Sequence, residues 1–246
     1  MKAKVYFTKE ITPEKVVEMY QALGVKLPGK VAVKVHSGEK GNQNFLRPEF
    51  WRPMVEKVHG TIVECNTAYG DASGGVRDHT ESHRKLLEEH GWTKYFDVDL
   101  MDAEGPDVIW PIPNGKILKE NHLGKDIMNY DSMLVLAHFK GHPMGGYGGA
   151  LKQLAIGCAS RAGKALIHSG GKTDDRYETW DQHASKTAFP EAMADAASSV
   201  VEHFKGKIAF INVMKNLSVD CDCCAVAEDP CMKDIGILAS TDPVAI

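Results

Sequence analysis

The chain has 246 residues, a formal net charge of −4 and a hydrophobic content of 43%, which is enough apolar material for one large α/β domain or two small ones. A weakly acidic chain has no general attraction to nucleic acid or to an anionic membrane, and no apolar run approaches the roughly 18 residues of a membrane-spanning helix. The amino terminus lacks the apolar core of a signal peptide. We therefore expect a cytoplasmic protein that binds neither nucleic acid nor membrane.

Apolar segments of strand length and helix length alternate along the chain. The patterns predict strands at residues 4–7, 30–35, 61–65, 95–99, 133–137, 207–213 and 234–239. They predict helices at residues 13–24, 48–58, 80–90 and 190–204, and a further one starting near Ala150. Repeated strand, polar loop and helix is typical of α/β proteins with a mostly parallel, doubly wound sheet and polar loops at the strand ends. We predict that fold as a single domain over residues 1–246, with a small β excursion near residues 102–129.

The carboxyl terminus carries the start signal of a helix. Ser240, Thr241 and Asp242 form a capping sequence, and Pro243 occupies the first helical position, but only three residues follow it. We therefore expect that the sequence is cut short, and a missing carboxyl-terminal segment could hold part of the site.

The stretch over residues 132–172 holds the densest group of reactive side chains beside small residues. A predicted buried strand leads into His138 and His142, and a glycine-rich turn and an apolar segment follow. In α/β proteins this order builds a binding site at the carboxyl edge of the sheet. A second polar tip begins at His168, which we expect at the end of the next strand. Each histidine could move protons or bind a metal ion, or could be a structural residue.

The glycine turn is a candidate cofactor-binding loop. It matches neither a P-loop nor a dinucleotide fingerprint. Backbone N–H groups at a helix start, with Lys152 in the first turn, favour a phosphate or carboxylate. We expect Lys152 to point into the cavity that holds His142 and His168; the alternative is a tight turn followed by a solvated lysine. The turn glycines assigned to cofactor binding are Gly145, Gly146, Gly148 and Gly149.

Two other strand-end loops carry acid–base groups. The first contains His36 and Glu39, and the second contains Asn66, Asp71, Arg77, Asp78 and His79. These side chains could transfer protons or bind a substrate carboxylate, or could be solvated loop residues. We assign His36, with His142 and Lys152, to catalysis and Arg77 to cofactor binding. The loop tips at His36, Asn66, His138, His168 and Asp220 are expected along one edge of one sheet.

Four of the six cysteines lie at positions 221, 223, 224 and 231, a density that favours metal or redox chemistry in a cytosolic protein. Thiolates suit zinc, copper(I) or iron–sulfur, whereas the adjacent carboxylates suit harder ions. The spacing is that of neither a zinc ribbon nor a ferredoxin cluster, so small, buried, reduced cysteines are the alternative. We expect most cysteines to be unbridged. The candidate metal ligands are His138, His168, Asp220, Cys221, Cys223 and Cys224.

The amino-acid sequences of several segments resemble those of a known family. The segments are KVHSGEKGN, RDHTESH, HFKGHPMGGYGGALKQLAIGCASRAGK, VDCDCC and DIGILASTDPVAI. Together they resemble the family of domain of unknown function 362. Members are often called iron–sulfur-centre proteins because many carry a ferredoxin-type insertion, whose cysteine pattern this chain lacks. The resemblance also implies that more chain normally follows the last segment.

A shorter stretch is similar to the core of nickel-dependent lactate racemase. The shared order is His142, a glycine turn, Lys152 and His168. This similarity implies that Lys152 anchors a nickel pincer nucleotide, that His168 is a nickel ligand and that His142 carries protons.

Two hypotheses of function follow. The first is a metal- or cofactor-dependent enzyme, an oxidoreductase or an isomerase, that performs redox or proton-transfer chemistry on a small anionic metabolite. The cofactor would be a metal ion, with iron–sulfur or nickel as candidates. The second is a non-catalytic module that binds a metal or an iron–sulfur unit and passes electrons to a redox partner protein. An enzyme needs acid–base groups that converge on one cavity, whereas an electron carrier needs mainly the cysteines.

Overall fold

The structure is a computed structural model that describes residues 3–70 and 74–246, so Asp71 lies outside the described residues. The strands are β1 (Val5–Thr8), β2 (Val31–Lys34), β3 (Thr61–Glu64), β4 (Val98–Leu100), β5 (Val108–Pro111), β6 (Glu120–Leu123), β7 (Ser132–His138), β8 (Lys140–His142), β9 (Gly146–Gly148), β10 (Ile208–Met214) and β11 (Gly236–Ser240). The α-helices are α1 (Pro13–Leu23), α2 (Pro48–Val58), α3 (Thr80–Glu89), α4 (Ala150–Cys158), α5 (Arg161–Ser169) and α6 (Ala188–His203).

The central sheet has seven strands in the order β1-β11-β10-β7-β2-β3-β4. The five strands from β10 to β4 run parallel to one another, and β11 is antiparallel to both β10 and β1. Two small antiparallel pairs, β5–β6 and β8–β9, lie outside this sheet. The structure therefore confirms the predicted mixed α/β fold with a mostly parallel sheet, and β5–β6 is the β excursion expected near residues 102–129.

Both faces of the sheet are covered by helices, which explains why β7 is buried throughout and apolar from Met133 to Ala137. Successive strand residues point to opposite faces. Leu134 and Leu136 pack in the core that contains α1 and α2, whereas Met133 and Val135 pack in the core that contains α4 and α6. A strand buried on two sides therefore reads as a continuous hydrophobic run, as in other parallel sheets.

Helix α1 is capped at both ends by the residues that the sequence predicts. The Thr12 side chain accepts a hydrogen bond from the Lys15 N–H at 3.2 Å, and Pro13 occupies the first turn. Gly24 ends the helix in the left-handed conformation at φ 64° and donates its N–H to Gln21 O.

Two sequence predictions need correction. The apolar segment that starts near Ala150 forms two helices, because Ser160 breaks it and caps α5 by accepting the Gly163 N–H at 3.1 Å. His168 consequently lies in the last turn of α5 and not at a strand end. The strand expected at residues 95–99 is the shorter β4, because the chain before it is held in a turn by the Tyr95 and Phe96 N–H groups, which donate to Trp92 O at 3.2 Å.

All six cysteines are free in the structure. None of the helices in residues 3–70 and 74–246 is both long enough and apolar enough to cross a membrane.

Candidate functional site

Four parallel strands bring their polar loops to one edge of the sheet. Because β2, β3, β7 and β10 run in the same direction, His36, Asn66, His138 and Asp220 follow or end strands at the same edge. A cavity of about 60 Å³ lies there. One water molecule occupies roughly 10–15 Å³ of such space, so the cavity has room for the reacting end of a small molecule.

His142 enters the cavity wall from the end of β8 and is only 8% exposed. Its Nδ1 accepts the Gly145 N–H at 2.9 Å, so the proton of the neutral ring is on Nε2. One side of the ring stacks on Phe189, with centroids 6.1 Å apart. Burial, with the nearby Lys152 charge, lowers the pKa of His142 to about 2. His142 is thus a neutral ring whose Nε2–H is a hydrogen-bond donor.

His168 has the opposite tautomer on the wall of the same cavity. Its Nδ1 donates to Lys164 O, one helical turn earlier, at 2.7 Å, so Nε2 carries a free lone pair. Burial lowers the pKa of His168 to about 4. The two histidines therefore present complementary atoms, a donor on His142 and an acceptor on His168.

Lys152 lines the cavity with both histidines, which is the arrangement expected from the sequence. Its Nζ donates to Cys221 Sγ at 3.6 Å. No carboxylate lies within 4.0 Å of Lys152 Nζ among the described residues. Despite burial, which opposes the charged form, the neighbouring thiols Cys221 and Cys223 raise the pKa of Lys152. The ammonium group is therefore charged and open to a bound anion.

Two further polar side chains, Gln153 and Lys164, line the cavity. Gln153 is 6% exposed, and its Nε2 has no hydrogen-bond partner among the described residues. Lys164 is also on the wall, and its Nζ donates to Ala159 O at 2.5 Å. A buried amide donor without an acceptor is costly, and a ligand oxygen would satisfy it.

The other two cations of the wall are already paired. Lys34 Nζ and Glu64 Oε2 are 2.5 Å apart, and both side chains are almost fully buried. Arg77 Nε and Glu39 Oε2 are 3.1 Å apart, and Arg77 also donates to the Tyr69 hydroxyl at 2.9 Å. Lys34 and Arg77 are therefore neutralised by carboxylates of the protein, whereas the charge of Lys152 can pair with a ligand.

His36, which also lines the cavity, is oriented towards the cysteine loop. Its Nδ1 accepts the Gly38 N–H at 3.1 Å, so the proton of the neutral ring is on Nε2. Burial, with the Arg77 charge, lowers the pKa of His36 to about 4. His36 is thus a neutral ring whose Nε2–H is available as a hydrogen-bond donor.

Three potential metal-binding atoms, from His142, Cys221 and Cys223, lie within 4.8 Å of one another. The two sulfurs suit a soft metal ion. The His142 imidazole does not suit a metal ion in its present tautomer. A histidine that binds a metal through one ring nitrogen normally donates an N–H from the second. In His142 the nitrogen Nδ1 instead accepts the Gly145 N–H. Of these three atoms, only the two cysteine sulfurs are therefore suitable metal ligands.

The carboxylate between these two cysteines is anchored away from them. Asp222, which is 1% exposed, accepts hydrogen bonds from His138 Nδ1 at 2.9 Å and Lys140 Nζ at 2.7 Å. His138 Nε2 contacts Lys215 O at 2.5 Å, so both of its ring nitrogens are engaged. The structure does not bring His138 to the cavity; it brings His138 to the base of the cysteine loop.

Several other sequence candidates lie outside the cavity wall. Asp220 accepts the Glu228 N–H at 2.9 Å within its own loop. Cys224 is half-buried beside Cys223. The amide at the start of α4, Ala150 N–H, donates to Asn212 Oδ1 at 2.9 Å. The turn glycines form the β8–β9 hairpin and the N-cap of α4, and a Cβ at Gly149 would meet Phe139 at 3.1 Å.

Several residues of the cavity wall were not predicted from the sequence, among them Glu64, Tyr69, Gln153, Gly157 and Lys164. One signal was present: a glycine inside a predicted helix is costly unless something needs the space. A Cβ at Gly157 would lie 2.5 Å from Lys34 Cε, so this glycine admits the buried lysine. The others carried no local signal.

The depressed pKa of His168 predicts an acid-sensitive stability. The unfolded chain gains a proton on this ring below pH about 6.5, whereas the folded ring stays neutral to about pH 4. Stability is therefore fully present above pH about 6.5 and is lost as the pH falls towards 4. Wild type should lose about 2 kcal/mol more than His168→Gln between pH 7 and pH 5, measured by urea unfolding. Exposed His183→Gln is the control; equal pH profiles for wild type and His168→Gln would contradict the assignment.

Comparison with known proteins agrees with this architecture. The family described as Domain of unknown function (DUF362) matches residues 31–246. No curated protein matches the chain.

Two solved structures share the fold. A Thermotoga maritima protein of known crystal structure is 12% identical, with a TM-score of 0.52 over 96% of this chain and 57% of its own. The lactate racemase apoprotein from Thermoanaerobacterium thermosaccharolyticum is 11% identical, with a TM-score of 0.51 over 84% of this chain and 50% of its own. This chain thus spans about half the length of these proteins. At such low sequence identities the structural similarity shows the fold alone. The match to the lactate racemase apoprotein agrees with the sequence similarity to lactate racemase.

Proposed function

The chain belongs to the family of domain of unknown function 362, and we propose that it is a metal-associated enzyme that moves a proton on a small anionic metabolite. The observation that carries this proposal is the pair of buried imidazoles in complementary tautomers on one cavity. His142 presents an N–H and His168 presents a lone pair, with the charged Lys152 on the same wall. A cavity that holds a hydrogen-bond donor and a base together can stabilise charge on one atom of a ligand while another atom loses a proton.

An anion is the ligand class that the charges of the wall favour. Lys152 has no carboxylate within 4.0 Å in the described part of the chain, and the buried Gln153 amide lacks an acceptor. A carboxylate or phosphate of the metabolite would pair with the first and accept from the second. The hydroxyl or carbonyl of a small 2-hydroxy or 2-oxo acid would then lie between the two imidazoles.

Binding of the anion would also tune the two histidines. Their pKa values are low because of burial first, with the Lys152 charge adding to it. A negative charge beside Lys152 offsets that repulsion and raises both pKa values towards neutrality. General acid–base catalysis is most effective when the catalytic pKa lies near the working pH. A bound anion would therefore prepare the two rings for proton exchange.

A metal ion at the adjacent thiols would polarise a ligand oxygen as a Lewis acid. The thiols that could hold it are those of Cys221 and Cys223, beside Lys152. The similarity to lactate racemase implied His168 as the metal ligand. We assign His168 to proton acceptance instead, because it lies outside the group of donors within 4.8 Å of one another in the described residues. An electron carrier would give the two imidazoles and the lysine no role.

Proton transfer predicts exchange of a carbon-bound hydrogen with solvent. Purified protein incubated in D₂O with lactate and a set of small 2-hydroxy and 2-oxo acids should incorporate deuterium into one of them, at C2 of a 2-hydroxy acid or at C3 of a 2-oxo acid, measured by NMR. Lys152→Ala and His168→Gln should each slow this exchange about 100-fold or more, because a positioned proton carrier contributes about that much. Lys172→Ala, in the loop after α5, is the control and should exchange at the wild-type rate. Exchange that is as fast in Lys152→Ala as in wild type would contradict the proposal.

A further inference from the structure

We propose that Cys221 and Cys223 together form a two-thiolate site for a thiophilic metal ion, with His142 outside the coordination sphere. This inference rests on the proposed function, because it names the side chains that hold the metal of that enzyme and the class of metal they select.

The cysteine loop is built so that both sulfurs face the same space. Their Sγ atoms lie within 4.8 Å of each other, and Cys223 lines the cavity. The Cys224 N–H donates to Cys221 O at 2.9 Å, which closes the turn between them. Asp222 lies between the two cysteines in sequence. Its carboxylate oxygens accept hydrogen bonds from His138 Nδ1 at 2.9 Å and from Lys140 Nζ at 2.7 Å. The anchored carboxylate fixes the turn, and the turn presents the two sulfurs as a pair.

The charges around the sulfurs favour two thiolates once a cation is present. Lys152 Nζ is 3.6 Å from Cys221 Sγ, so a positive charge lies beside this sulfur. A divalent ion bound to the two sulfurs deprotonates the thiols that coordinate it. Two S–H protons pass to solvent, two sulfur–metal bonds form, and no electron is transferred.

The available donors select a soft metal. Asp222 is already paired with His138 and Lys140, and Asp220 accepts the Glu228 amide. The two carboxylates of the loop are thus committed elsewhere, which leaves sulfur as the protein ligand. Thiolates select ions such as Zn²⁺, Ni²⁺ or Cu⁺ over Mg²⁺, Ca²⁺ or Mn²⁺. The remaining coordination positions would be left to water and to the bound anion.

His142 is excluded by the hydrogen bond of its second nitrogen. Ligating histidines donate that N–H to a carbonyl or carboxylate. In His142 the nitrogen Nδ1 accepts the Gly145 amide at 2.9 Å, so Nε2 holds a proton where a ligand needs a lone pair. The ring is therefore arranged to donate to a ligand next to the metal.

Cobalt(II) titration of the full chain tests this assignment, with thiolate-to-cobalt charge-transfer absorption and bound metal per chain as the readouts. Wild type should bind one Co²⁺ per chain with a charge-transfer band. Cys221→Ser and Cys223→Ser should each bind about 100-fold more weakly or lose the band. His142→Gln should keep both the stoichiometry and the band. Exposed Cys231→Ser is the matched control and should behave as wild type.

Three results would overturn the proposal. One is a loss of cobalt in His142→Gln as large as that in the cysteine variants, which would make the imidazole a ligand. Another is binding without a sulfur band. The third is wild-type stoichiometry in the Cys221→Ser, Cys223→Ser double variant. Cobalt titration measures metal binding and not turnover, so it tests this proposal separately from the proposed function. If cobalt binds as expected but no deuterium exchange occurs, the proposed enzymatic function is wrong and the metal site stands.

Discussion

Replacing Asp222 by asparagine should lower the free energy of unfolding by about 3–5 kcal/mol, because it leaves buried positive charge without a partner. The carboxylate is 1% exposed and contacts both His138 and Lys140. Burial alone would raise its pKa, but the charges of His138 and Lys140 hold the pKa of Asp222 well below its usual value. Urea unfolding at pH 7 measures the loss.

A neighbouring aspartate supplies the control for this variant. Asp220 is in the same loop, is half-buried and accepts one backbone N–H from Glu228 at 2.9 Å. Asp220→Asn should cost about 1 kcal/mol or less, the typical net contribution of a single hydrogen bond. If Asp222→Asn cost no more than Asp220→Asn, the buried charge cluster would not be what holds the cysteine loop.

Breaking the Lys34–Glu64 pair should have an effect of similar size. The two charged atoms are 2.5 Å apart, and the side chains are 1% and 4% exposed. Glu64 also accepts the Ser37 N–H at 2.8 Å, and, although burial opposes its charge, Lys34 holds its pKa far below the usual value. Lys34→Met and Glu64→Leu should each cost about 3–5 kcal/mol, because each leaves one buried charge unpaired.

The double variant distinguishes pairing from simple packing. Lys34→Met with Glu64→Leu removes both charges, so its cost should be at least about 2 kcal/mol smaller than the sum of the two single costs. The exposed pair Arg52–Glu56 is the control, with side chains 51% and 55% exposed. Glu56→Gln should cost less than about 1 kcal/mol. Additive costs for Lys34 and Glu64 would show that the pair is not coupled.

The outline of the fold was predictable because its signals are local. The apolar run of β7, the cap of α1 and the order of strand, loop and helix depend on residues a few positions apart. Parallel strands then bring His36 and Asn66 to one edge without further information. The errors arose where local patterns are ambiguous. The apolar residues before His168 suit a strand or a helix, and only the Ser160 cap and the packing of α5 decide between them.

The sequence by itself determined the family, the mixed α/β sheet, the edge at which the loops meet, and the side of α4 on which Lys152 lies. Only the tertiary structure decided which charges are paired and which are free. Asp222 meets His138 across 84 positions, and Glu64 meets Lys34 across 30. Contacts of that kind depend on strand order and loop paths, which no local pattern encodes. Burial, which makes His142 and His168 neutral, likewise exists only once both faces of the sheet are covered.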